Sequence, residues 1–255
     1  MKLYFKKIGE GNPLIILHGL FGLGDNWATL SRQYADQGYA VYLVDQRNHG
    51  RSPHDFEFSY DAMTGDLLEL LGDEGISKAD FIGHSMGGKT LMFFALQHSA
   101  FIRKMIVADI APRYYTPHHQ SVLSALHAVD VENISSRKEA EERLRLSLKD
   151  EGTIQFLLKN LYWKTETKLD WRFGLKEIEA NIDEVGKALP SAPPILTPVL
   201  FLKGERSGYI SREDEMEIQT RFSNVEIATV PSAGHWLHAE NPKAFLEMTT
   251  AFLKM

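Results

Sequence analysis

The sequence predicts an α/β fold, with a mostly parallel sheet flanked by helices and interrupted once by a helical insertion. Three observations predict it. Short apolar runs recur along the chain, amphipathic stretches of helical length separate them, and the alternation lapses in one charge-rich tract. Continuous apolar runs this short suit strands buried on both faces. Strand-helix-strand alternation with right-handed crossovers then gives a parallel sheet.

The runs come in order: Leu14 to Leu17, Ala40 to Val44, Ala79 to Ile82, Met105 to Ala108, Val199 to Leu202 and Val225 to Val230. Between the first two lies DNWATLSRQYADQG (25–38), which opens on a capping-type Asp25 and closes at Gly38. SYDAMTGDLLELLGDEG (59–75) sets Leu67, Leu68, Leu70 and Leu71 along one side of a helix. SMGGKTLMFFALQHS (85–99) is apolar on most sides, as an interior helix would be. From about Arg113 to Pro198 the chain is rich in charge and in helix formers, with no convincing buried strand. That tract ends in Pro190, Pro193, Pro194 and Pro198, which favour an extended connection. Its flanks are strand-like on both sides, so an insertion is favoured over an independent domain. The expected division is a core of residues 1–112 and 195–255 with a helical cap of residues 113–194.

Composition narrows the function. The chain has 255 residues, 44% hydrophobic and 24% charged, which is ordinary globular usage. A net charge of -6 without a basic stretch argues against nucleic acid and against an anionic membrane surface as partners. There are no cysteines, so disulfides, thiolate metal sites and a Cys nucleophile are excluded. No apolar stretch approaches the roughly 18 residues needed to span a bilayer. Leu14 to Leu17 is too short for a signal segment. A cytoplasmic protein, monomeric or a homodimer, is expected.

The sharpest chemical signal is FIGHSMGG (81–88), a G-x-S-x-G between a strand-like and a helix-like stretch. Three fixed positions match by chance in roughly one chain of this size in ten. The strand-turn-helix context and Gly88 make chance a poor account. Ser85 becomes the candidate nucleophile, held above the sheet at a helix N-terminus. Side chains at Gly83 or Gly87 would clash in so tight a turn. LHGLFG (17–22) follows the first strand. A tetrahedral oxyanion needs two backbone donors. Met86 and Leu20 are the candidates, while His18 is read as a brace for its loop rather than a base. VPSAGHWLHAENP (230–242) supplies His235 as candidate general base, with His238 expected to cap or pack. His49, His54, His118 and His119 are read as surface or loop groups. No histidine pair has metal-ligand spacing, so no metal and no cofactor are expected.

The order HG-x-x-G, DQRNHGRS (45–52), GHSMGG, AGHWLHAENP resembles the α/β-hydrolase fold over nearly the whole chain. The RNHGRS, GHSMGGK and DIAP segments are most similar to bacterial esterases of the YbfF type and their eukaryotic relatives. The resemblance implies a mostly parallel eight-stranded sheet with the helical cap inserted after strand 6. It also makes Asp45, Arg47, Gly50 and Ser52 structural. The family's usual acid follows the strand before the last in a G-E-x-D pattern. Here that stretch reads Gly204-Glu205-Arg206-Ser207, and Ser207 cannot be an anion. Asp109, Glu205 and Asp183 are the alternatives. Asp109 is favoured, because it ends the strand after the nucleophile helix and the resemblance implies an acid there.

The resulting expectation is a serine hydrolase of small-molecule esters with short to medium acyl chains, or of acyl-CoA thioesters, working through a Ser85–His235–Asp109 triad. Phe21, Trp27, Trp163 and Trp236 are candidates to line an apolar pocket. A C–C bond hydrolase of ring-fission products and a non-catalytic ligand-binding protein of the same fold are the competing readings.

Overall fold

A computed structural model describes residues 1–116 and 119–255. The chain opens with β1 (Phe5–Ile8) and β2 (Asn12–Leu17), then α1 (Ala28–Ala35) and β3 (Tyr39–Val44). Next come α2 (Tyr60–Asp73), β4 (Ala79–His84), α3 (Met86–His98) and β5 (Ile102–Ala108). The inserted tract holds α4 (Gln120–Ala128), α5 (Arg137–Ser147), α6 (Glu151–Leu158), β6 (Leu161–Trp163), β7 (Leu169–Trp171), α7 (Leu175–Ala180) and α8 (Ile182–Val185). The core resumes with β8 (Val199–Gly204), α9 (Arg212–Arg221), β9 (Val225–Val230), α10 (Leu237–Glu240) and α11 (Pro242–Lys254).

The main sheet runs in the order β1-β3-β2-β4-β5-β8-β9, with only β1 antiparallel to its neighbour. Alternate residues of each strand enter two separate apolar clusters. Ile15, Leu17, Phe81 and Val107 join one, and Leu14, Ile16, Ile82 and Ile106 join the other. Helices α2 and α3 cover the first face through Leu67, Leu71, Leu91 and Phe94. Helices α1 and α11 cover the second through Leu30, Tyr34, Phe245 and Phe252. Burial on both faces is why these strands read as unbroken apolar runs.

Three expectations change. Among the described residues the main sheet has seven strands, not eight, because only seven segments carry ladder pairing. The insertion follows the fifth strand, β5, not a sixth, since the backbone turns out of the sheet at Asp109 with φ 53°. The inserted tract is not purely helical, because β6 and β7 pair as a separate antiparallel hairpin. β1, FKKI, escapes a search for apolar runs because it is an edge strand with both lysines exposed. At α1, Asp25 is not the cap. A short 3-10 turn, Gly24–Trp27, precedes the helix, and Asn26 Oδ1 accepts from the Leu23 amide.

Both legs of the insertion are tied to α3. The amine of Lys89, fully buried, donates to the carbonyls of Pro112 and Arg113 on one leg and of Lys187 on the other. The legs also bond each other, Tyr115 N to Gly186 O at 2.8 Å and Leu189 N to Pro112 O at 2.8 Å. The tract therefore hangs over the C-terminal ends of β4 and β5. Among the described residues no helix is long and apolar enough to cross a membrane.

Candidate active site

Ser85 occupies the one-residue turn between β4 and α3, with φ 51° and ψ −116°. A non-glycine residue in that region costs about 1–3 kcal/mol, supplied by the surrounding packing. Two glycines make the turn feasible. A Cβ at Gly83 would lie 2.4 Å from the Gly87 carbonyl oxygen, and one at Gly87 2.4 Å from that of Leu17. The turn lifts Ser85 clear of the sheet, half-buried, at the first turn of α3.

The loop after β2 is rigidly braced. His18 Nδ1 donates to Gly19 O at 2.8 Å, and its Nε2 accepts from Gln46 N at 3.0 Å. Phe21 has φ 57°, and its amide donates to His49 Nε2 at 3.0 Å. His49 Nδ1 in turn donates to Arg47 O at 2.8 Å. The Phe21 amide is thus engaged. Among the described residues, the amides of Leu20 and Met86, on either side of Ser85, have no acceptor. His49, expected at the surface or in an open loop, is instead fully buried, because the Phe21 turn needs an acceptor inside the protein. Burial pushes His18 below its ordinary pKa and His49 well below it.

The DQRNHGRS stretch holds this loop from beneath. Asp45 accepts from the amides of Gly24 and Arg51 at 2.7 and 2.9 Å, and Arg47 forms two bonds to Asp66 at 2.6 and 2.8 Å. These residues are structural, and none lines the cavity beside Ser85.

His235 lies on the loop after β9, half-buried. Its Nδ1 donates to Asp109 Oδ2 at 2.8 Å, which leaves Nε2 as the basic nitrogen. The Tyr209 ring stacks on the imidazole, centroids 3.9 Å apart and planes 18° apart. His84 Nε2 donates to the His235 carbonyl at 2.8 Å. Burial, with His235 and His238 nearby, holds His84 well below the ordinary histidine pKa, so it stays neutral and keeps that geometry.

Asp109 is fully buried, so its charge depends on donors. It has three: His235, the Ser207 hydroxyl at 2.5 Å and the Gly204 amide at 3.0 Å. Ser207, which stands where the family pattern puts a carboxylate, therefore serves the carboxylate that arrives from β5. Reading Ser207 only as a missing acid overlooks this donor. Its position beside the expected carboxylate was the available signal. The other acids are elsewhere. Glu205 is exposed and accepts from Ser232 N at 2.6 Å, and Asp183 is exposed at the start of α8.

A cavity of about 270 Å³ opens beside Ser85, lined also by Leu20, His235 and the expected Phe21, Trp27 and Trp236. Trp163 does not line it. It stands 53% exposed at the end of β6, the strand edge next to the hairpin turn. His119 does line it, His54 is exposed, and His118 lies outside the described residues. His238 packs flat on Trp27, centroids 4.0 Å and planes 8° apart, and burial pushes its pKa down to about 3. No group of three or more candidate metal ligands occurs among the described residues.

Known proteins share this arrangement of elements. The family described as alpha/beta hydrolase fold matches residues 12–128. The chain is 37% identical over 247 residues to the sn-1-specific diacylglycerol lipase ABHD11 of Mus musculus, covering 94% of this chain and 80% of that protein. It is 35% identical over 245 residues to esterase YbfF of Escherichia coli strain K12, covering 96% and 94%. A solved structure named marine microorganism esterase superposes with a TM-score of 0.95 at 42% identity, covering 98% of this chain and 99% of that one. Likeness of this extent over nearly the whole chain makes it a member of the α/β-hydrolase fold family, of the YbfF type.

Proposed function

We propose that this protein is a serine hydrolase of carboxylic esters, with Ser85 as nucleophile, His235 as general base and acid, and Asp109 as the partner that fixes the imidazole. The Leu20 and Met86 amides form the oxyanion hole. The observation that carries the reading is the 2.8 Å bond from His235 Nδ1 to buried Asp109, at the rim of the cavity that Ser85 also lines. The names of the relatives, a diacylglycerol lipase and esterases, support the ester class.

His235 Nε2 takes the Ser85 proton as Oγ attacks the carbonyl carbon. The oxyanion is met by two backbone donors already in position, which need no reorganisation. His235 returns the proton to the leaving oxygen as the carbon–oxygen bond breaks. Water, deprotonated by the same imidazole, then attacks the acyl-enzyme and releases the acid. Asp109 stabilises the imidazolium and holds Nδ1–H in place throughout. Thioesters with short or medium acyl chains present the same carbonyl to the same groups.

The test is turnover of p-nitrophenyl esters by wild type and two variants. Ser85→Ala is expected to lower kcat by about six orders of magnitude, as loss of the nucleophile does in serine hydrolases. Asp109→Asn is expected to lower it by about four, through the wrong imidazole tautomer. Near-full turnover by Asp109→Asn would refute the assignment of the acid.

A further inference from the structure

Ser85 and Leu20 line two cavities, not one. The second is about 20 Å³ and is bounded by Met86, Ile110, Tyr115, Val185 and Gly186. Tyr209 and His119 also line both, but the reaction machinery divides between the two spaces. His235 lines only the large one, with Trp236 and Phe156, while Met86 lines only the small one.

We propose that the small chamber receives the acyl group and the large chamber the alcohol, so that the preferred substrates are esters of short-chain acids with bulky apolar alcohols. This rests on the hydrolase reading above and specifies its substrate class. The tetrahedral carbon carries four groups: Ser85 Oγ, the oxyanion, the acyl substituent and the leaving oxygen. The oxyanion is committed to the Leu20 and Met86 amides. The leaving oxygen must lie within hydrogen-bond reach of His235 Nε2, because that nitrogen delivers its proton. The alcohol is therefore on the His235 side, in the large chamber. The fourth bond points past Met86 into the small one. At about 20 Å³ against about 270 Å³, the small space is the tighter of the two and takes the smaller substituent. The large chamber, at 270 Å³, approaches the roughly 300–1,000 Å³ of small-molecule sites.

The bonds balance as in any ester hydrolysis. The Ser85 proton leaves with the alcohol, the acyl group stays on Oγ, and water then releases the acid and restores the hydroxyl.

Two substrate series test the assignment. One lengthens the acyl chain on a fixed p-nitrophenol, from acetate to hexanoate. The other enlarges a non-activated alcohol on a fixed acetate, from ethyl to 3-phenylpropyl. The expected result is a fall in kcat/KM of about tenfold or more along the first series and a rise of similar size along the second. Val185→Ala, which touches no reacting group, is expected to raise hexanoate relative to acetate by at least about fivefold and leave the alcohol series unchanged. Phe156→Ala is expected to weaken the alcohol preference alone. Hexanoate preferred over acetate, with Val185→Ala without effect on that ratio, would overturn the chamber assignment and leave the hydrolase reading intact. A wild-type chain that turns over no ester of either series would overturn both.

Discussion

At the scale of single residues, the acid carries the most information. Asp109 Oδ2 lies 2.8 Å from His235 Nδ1 and 2.5 Å from Ser207 Oγ. Position 207 therefore stands beside the carboxylate that meets the imidazole, and it holds a hydroxyl in place of an acid. The charge is expected to be movable. Asp109→Asn combined with Ser207→Asp should recover at least about tenfold in kcat over Asp109→Asn alone, since the new carboxylate can again fix the Nδ1–H tautomer. Steady-state kinetics on one ester decides it, and a double variant no better than the single one would show that the Ser207 site cannot orient the ring. Sequence alone ranked Asp109 first from its place at a strand end. It could not supply the reason a fully buried carboxylate is tolerated there. That reason is three donors, two of them from Gly204 and Ser207, far along the chain.

At the scale of elements, α3 joins the Ser85 turn to the inserted tract. Ser85 caps its N-terminus, and one turn later Lys89 holds the carbonyls of both legs. A buried carbonyl that loses its donor costs about 1–3 kcal/mol. Lys89→Met keeps the chain length and removes all three bonds, so local opening of the legs should become easier while the sheet stays closed. Hydrogen exchange is expected to quicken at least about tenfold at Tyr115 and Leu189, whose amides cross-link the legs, with β4 and β5 amides unchanged. Equal exchange in wild type and variant would remove Lys89 from this role. The elements themselves were legible where the pattern is local. Leu67 and Leu71 of α2 repeat within one helix, so their buried side is carried by neighbouring residues. β1 was not legible, because an exposed edge strand needs no apolar run. Nor was the β6–β7 hairpin, whose strands are three residues each.

For the whole molecule, the buried histidines set an acid limit. His18, His49, His84 and His238 are each held below the ordinary value of 6.5, first of all by burial. Below pH 6.5 the unfolded chain takes up protons that the folded chain refuses, so stability falls as pH falls. For His238 the loss continues to about pH 3, where the folded ring also protonates. A group whose folded ring refuses the proton contributes a slope approaching about 1.4 kcal/mol per pH unit, against a typical total of about 5–15 kcal/mol. The urea midpoint is expected to drop steeply between pH 6.5 and 5. A midpoint flat across that range would mean that these rings accept protons in place.

The sequence by itself determined the parallel core, the tight turn at Ser85 and the bracing role of His18. Each rests on residues adjacent in the chain, where backbone strain, glycine and apolar runs act over a few positions. The tertiary structure alone decided which carboxylate meets the imidazole, what keeps it charged, that Trp163 faces outward and that the space at Ser85 is divided in two. Those facts depend on strand order. It brings together Asp109 and His235, 126 residues apart, and Asp109 and Ser207, 98 apart, and no local pattern encodes a distance of that kind.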